Sequence, residues 1–165
     1  MKVIGIDLST KEKNQTGICI INRVVRFLKL KKDVEIINLI KNLKPDVVAI
    51  DAPLSLSKKS WRPCEIKLLK MGFRPLPLTM KNMRILAERA IRLKRMLGNF
   101  KVIEVFPRAT EKILGIEKKK IQEMFFVKIS EHQYDAYLCA LTGKCFLENT
   151  YEIVGRKIVI PAKSL

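Results

Sequence analysis

Two rhythms of apolar residues run along the chain. Short unbroken runs in KVIGIDLST (residues 2–10), DVVAIDAPL (46–54) and KVIEVFP (101–107) suit strands buried on both faces. TGICIIN (16–22) and VVRFLKL (24–30) are rich in β-branched residues and are separated by Asn22 and Arg23, so the first thirty residues read as a three-strand meander. Other stretches repeat at three- and four-residue spacing instead. Val34, Ile36, Ile37, Leu39, Ile40 and Leu43 mark an amphipathic helix with Asp33 as its N-cap, stopping before Pro45. Met83, Leu86, Ala90, Leu93 and Leu97 mark a second over residues 81–97, ended by Gly98. A third begins at Ser130 in SEHQYDAYLCALTG (130–143). Residues 52–80 hold no period and carry Pro53, Pro63, Pro75 and Pro77, with one short helix expected at 64–71. A helical turn at 110–114, a short amphipathic piece starting at 118–120 and a hairpin over 151–161, turning near Gly155, complete the reading.

Each of the three apolar strands delivers an acid: Asp7 and Asp51 at strand ends, and Glu104 inside its strand. One such acid alone is an ordinary turn residue or strand-end cap. Three are a different matter if the fold gathers them. Two carboxylates about 4 Å apart repel by roughly 4 kcal/mol at an effective dielectric of 20, so the meeting requires a cation, a proton or basic partners. In the helix from Ser130, Glu131 and His132 stand four and three residues before Asp135, which puts all three on one face at its start.

Composition narrows the function classes. With 165 residues and 48% hydrophobic content the chain supports one good core, and no linker, low-complexity run or repeat divides it. The expectation is a single domain over 1–165, with an insert at about 52–80 and a C-terminal hairpin at 151–161. No apolar stretch approaches a membrane span and no signal-peptide pattern opens the sequence, so a soluble cytoplasmic protein without a membrane partner is expected. Lys and Arg number 33 against 16 Asp and Glu, a formal charge of +17 that points to nucleic acid as partner. Cys19, Cys64, Cys139 and Cys145 form no CxxC pair and His132 is the only histidine, which argues against zinc and for free thiols packed as small hydrophobes.

The order of elements, together with GID (5–7), AIDAPLSL (49–56), RPCE (62–65), VIEVFP (102–107), EHQYDAYLCALTG (131–143), YEIVG and IVIP, resembles the ribonuclease H-like fold of Holliday-junction resolvases. Within it the chain looks most like the DUF429 family of predicted ribonuclease H-like nucleases, with a short insert as its departure. The resemblance implies an α/β fold with a mixed five-stranded sheet in the order 3-2-1-4-5, flanked by helices. It also implies a nuclease site holding two Mg²⁺ or Mn²⁺ ions, with Asp7 bridging and Asp51 and Asp135 each on one ion. Glu104 or Glu131 would add a ligand or orient water, and His132 would donate a proton or position a phosphate, unless it is simply hydrogen-bonded locally. Arg62 and Glu65 either pair to hold the insert or, with Arg89 of the basic helix, contact substrate. Trp61 is either a stacking platform or core. A junction resolvase needs a two-fold dimer, so a homodimer belongs among the partners to test. The competing functions are non-catalytic nucleic-acid binding on the same scaffold and phosphoryl transfer from ATP, which lacks a second phosphate loop here.

Overall fold

The computed structural model describes residues 1–163. Its strands are β1 (Val3–Asp7), β2 (Thr16–Ile21), β3 (Val25–Leu30), β4 (Val47–Asp51), β5 (Val102–Val105), β6 (Tyr151–Val154) and β7 (Ile158–Pro161). Together they form one sheet in the order β3-β2-β1-β4-β5-β7-β6. The antiparallel meander β1-β2-β3 adjoins a parallel centre, β1 beside β4 and β4 beside β5. The expected five-strand order holds, but the sheet has seven strands. The C-terminal hairpin is part of it, because β7 pairs in parallel with β5 through Glu104↔Ile158 and Val105↔Val159. Burying β7 explains why Ile158, Val159 and Ile160 form an unalternating apolar run.

The helices are α1 (Asp33–Leu43), α2 (Pro63–Lys70), α3 (Lys81–Leu97), α4 (Pro107–Leu114), α5 (Lys118–Phe125) and α6 (Glu131–Leu147). They cover both faces of the sheet. Val3, Val47, Ala49, Ile103 and Val105 point toward α6, packed with Ala136, Leu138, Cys139 and Ala140. Ile4, Ile6, Val48, Ile50 and Val102 point the other way, onto Ile36 and Ile40 of α1 and Ala90 and Leu93 of α3. None of these helices is long and apolar enough to cross a membrane.

Two glycines set how closely α6 lies on the sheet. A Cβ on Gly5 would strike the backbone of Ala136 and Ala140, and one on Gly17 would strike the backbone of His132. With hydrogen in those places, the first turn of α6 settles directly over the ends of β1 and β2. Ser130 caps that turn, its hydroxyl accepting from the Gln133 amide at 3.2 Å.

Local expectations shift in two places. Asp33 is the first residue of α1 and not its cap; Glu35 reaches back to accept from the amides of Lys31 and Lys32. Asp33 is thereby free to accept from Arg89 at 2.8 Å and Arg92 at 3.1 Å. The turn expected at 110–114 is the end of a longer helix, since Pro107 occupies a first-turn position of α4, where its missing N–H costs nothing.

Candidate active site

Asp7 and Asp51 are register partners at the ends of adjacent parallel strands. The period of two along each strand puts both on the α6 face, below the glycine-seated first turn of that helix. Adjacent strands lie about 4.8 Å apart, so the two carboxyl groups are neighbours by construction. Burial, then the Asp7 charge and more weakly that of Glu104, push the Asp51 carboxyl up to about 8, with the Arg108 guanidinium pulling the other way. Asp7 is also raised by burial, although His132 and Arg108 hold it back. This is a pair whose ionisation the fold does not fully compensate.

Helix α6 brings the third and fourth members. His132, more than half exposed, places Nδ1 2.6 Å from Asp7 Oδ2. Asp135 is ion-paired with Arg108, while its buried Oδ1 makes no hydrogen bond of regular geometry. Glu131, the third acidic expectation on this face, points outward and pairs with Lys118 at 2.5 Å. Its side chain is 76% exposed.

Glu104 behaves differently because of parity. It is the register partner of Ile50, not of Asp51, so its side chain leaves the sheet on the opposite face. There Arg62 meets it with Nη2 to Oε1 at 2.5 Å and Nη1 to Oε2 at 3.0 Å, and the Leu54 amide donates to Oε2 at 2.8 Å. The same guanidinium donates from Nε to Glu65 Oε1 at 3.0 Å, and Glu65 Oε2 accepts from the Arg62 amide at 2.7 Å. All three side chains are 5% exposed or less. Of the two readings of Arg62 and Glu65, the structural pair is the one observed, with Glu104 as its third member. Arg89, expected to face substrate, is likewise buried. Its guanidinium is taken up by Asp33, by the carbonyl and hydroxyl of Ser9 and by the carbonyl of Lys31.

Two residues of the site escaped the sequence reading. Arg108 sits in the first turn of α4, immediately after β5, and contacts Asp135, Glu111 at 2.7 Å and the face of Tyr134 at 5.8 Å. Arg74, in the insert, lines the same cleft as Asp7 and Asp51. Only position distinguished them among 33 basic residues: Arg108 opens a helix directly behind an acid-bearing strand, and Arg74 lies in the insert that follows another.

Among the described residues, no group of three or more His, Cys, Asp or Glu side chains is drawn together as a metal cluster. The third aspartate is engaged by Arg108. The four cysteines are free; Cys19, Cys64 and Cys139 are buried and Cys145 partly so, as expected of thiols used for packing.

No protein-family model and no curated protein matches the chain. Two solved structures of RuvC from Thermus thermophilus resemble it, one of them in complex with a Holliday junction substrate. Each aligns with a TM-score of 0.55 at 14% identity, over 90% of this chain and 96% of the other. The fold is therefore ribonuclease H-like, as the order of elements led us to expect. The likeness is one of fold and does not extend to the DUF429 family in particular.

Proposed function

We propose that this protein is a metal-dependent nuclease that hydrolyses phosphodiester bonds of nucleic acid. The observation that carries the reading is the register pairing of Asp7 with Asp51 beneath the His132 and Asp135 turn of α6. Paired strand-end carboxylates with elevated proton affinity are a poor structural investment, because an apolar pair would be more stable in their place. They suit a site that waits for positive charge. The ribonuclease H-like fold and a net charge of +17 favour a polyanionic substrate, and the solved RuvC complex contains a Holliday junction substrate.

The donor set fits a hard divalent cation such as Mg²⁺ or Mn²⁺. Asp7 and Asp51 offer carboxylate oxygens at the ends of adjacent strands, and Asp135 would join them on release from Arg108. Held by these carboxylates, a divalent ion would supply Lewis acidity to a water and to the leaving oxygen. His132, more than half exposed, orients the Asp7 carboxylate through its 2.6 Å contact. Arg108 and Arg74 attract the phosphate backbone to the cleft.

The test is cleavage of single-stranded, duplex and junction nucleic acids in Mg²⁺ and Mn²⁺. Asp7→Asn should lower cleavage by more than about a hundredfold, beyond the loss typical of groups that only support a ligand. Its melting temperature should stay level or rise. One observation favours a second reading, non-catalytic binding: Asp135 is already neutralised by an arginine. A wild-type protein that binds with a steep salt dependence but yields no product with either ion decides for that alternative.

A further inference from the structure

The acids form only one end of a larger cleft. Its volume is about 230 Å³; the Arg62–Glu65–Glu104 cluster lines it together with Asp7 and Asp51, and the rest of its wall is largely apolar, with Pro53, Pro75, Leu76, Met83, Leu86 and Phe106. An apolar wall does nothing for a phosphodiester or a metal ion. It is also unexpected beside carboxylates on a strongly basic protein, where phosphate contacts alone would call for lysines and arginines. Three arginines lie along the same lining as the acids: Arg62, taken up by Glu104 and Glu65, and Arg74 and Arg108.

We propose that this compartment seats one unpaired nucleobase next to the cleaved bond, so that the substrate is single-stranded or locally unstacked at that point. The proposal rests on the nuclease reading and names the substrate class of the same site. Size favours one ring system. Pockets for drug-sized ligands run roughly 300–1,000 Å³, and this one falls below that range. Chemistry favours a base over other apolar groups, since the flanking arginines supply positive charge for the phosphates a nucleotide brings with it. Phe106 provides an aromatic ring at the wall. It is braced by Phe73, whose ring stands edge-on at 5.9 Å and 71°. Leu76 is 52% exposed, an apolar side chain left in water at the rim until something covers it.

The compartment is also held ready. Leu54 and Arg62, within the otherwise irregular insert, are both tied to Glu104 of β5, and Pro53 and Pro75 restrict the backbone on either side. A base inside a duplex reaches such a site only after leaving its stack, at a cost of a few kcal/mol that an unpaired base does not meet. Duplex without a frayed, flipped or junction base is therefore the disfavoured substrate.

The experiment uses the full-length Asp7→Asn protein, so that cleavage does not consume the probe. A short oligodeoxynucleotide is compared with the same backbone bearing tetrahydrofuran in place of every base, and with its duplex. The base-bearing single strand should bind about 5- to 150-fold more tightly than the abasic strand, the equivalent of 1–3 kcal/mol of stacking. It should also bind more tightly than the duplex. A 2-aminopurine in the strand should change its emission on binding. With Leu76→Glu added, at an exposed position where folding is not at stake, both the ratio and the emission change should collapse. Equal binding of base-bearing and abasic strands, or a ratio untouched by Leu76→Glu, overturns the proposal. The two readings fail separately. Duplex cleavage by the wild type together with equal abasic binding removes the base site and leaves the nuclease, whereas a seated base with no cleavage of any strand in Mn²⁺ removes the nuclease and leaves the base site.

Discussion

The two faces of the sheet carry acids at the same end and treat them in opposite ways. On one face Glu104 and Glu65 close around Arg62, every carboxylate oxygen accepts a hydrogen bond, and the three side chains are almost wholly buried. On the other, Asp7 and Asp51 sit side by side with burial raising the proton affinity of both, and their basic neighbours His132 and Arg108 are both substantially exposed. The first arrangement is finished as it stands and fastens the insert to β5. The second lines a cleft with carboxyls whose ionisation is opposed by burial and by each other, and which a cation would relieve. Buried charge by itself therefore says little about function; what marks the functional cluster is charge that the protein leaves uncompensated.

Breaking the finished cluster should produce the largest effect. Arg62→Ala strands two buried carboxylates and removes the tie between the insert and β5. The expected loss is about 3–5 kcal/mol in denaturant unfolding, the cost of removing one partner of a buried pair. If the loss were below about 1 kcal/mol, the triad would be no more than a surface ion pair in energetic terms.

The unfinished cluster should show itself through pH. The Asp51 carboxyl is raised from an ordinary 3.8 to about 8 in the folded protein, so the folded state holds the proton more tightly than the unfolded chain. The stabilisation this gives is complete below about pH 4 and is lost as pH rises through 8, with Asp7 acting in the same direction. Without divalent ions, the wild type should lose stability toward pH 8 relative to Asp51→Asn, at no more than about 1.4 kcal/mol per pH unit per group. Melting curves of the two proteins at pH 5 to 9 in chelator measure the difference directly. Adding Mn²⁺ should reverse the trend for the wild type alone, because ligand carboxylates must be ionised to bind and affinity rises with pH. Parallel profiles for the two proteins would place Asp51 among the fully compensated acids.

What could be read in advance follows from the range of each interaction. Asp7 and Asp51 announce themselves because each closes an apolar run, and His132 and Asp135 because helical spacing puts them on one face; these are local signals. Glu104 looks equivalent to the aspartates, yet its allegiance depends on the register between β4 and β5, and one residue of register exchanges the two faces of a strand. The placement of β7 beside β5 is similarly invisible, since the hairpin reads the same whether it joins the sheet or hangs free. Asp33 has the sequence signature of a helix cap, but Glu35 takes over that task and the aspartate serves Arg89, 56 residues away. Arg108 had the weakest signal, one cation among many, although its partners are spread over β1, β4 and α6.

Arg108 is also where the contrast between the faces can be tuned most finely. Unlike Arg62, it is 45% exposed, so solvent screens its interactions and Arg108→Gln should change stability by only about 0.2–1 kcal/mol in low salt, less in high salt. Its effect on metal affinity should nevertheless be visible. The guanidinium neutralises Asp135 and lowers the proton affinity of Asp7 and Asp51, so it both competes with a divalent ion and prepares the aspartates to receive one. These influences separate with pH. Well above the Asp51 value of about 8, where that carboxyl is ionised with or without the arginine, competition alone remains, and Arg108→Gln should bind Mn²⁺ more tightly than the wild type in calorimetric titration. Near pH 6 the loss of that help should reduce or invert the advantage. An affinity unchanged by the substitution at both pH values would mean that arginine and metal ion occupy separate places, and that Asp135 belongs with the compensated acids on the other face.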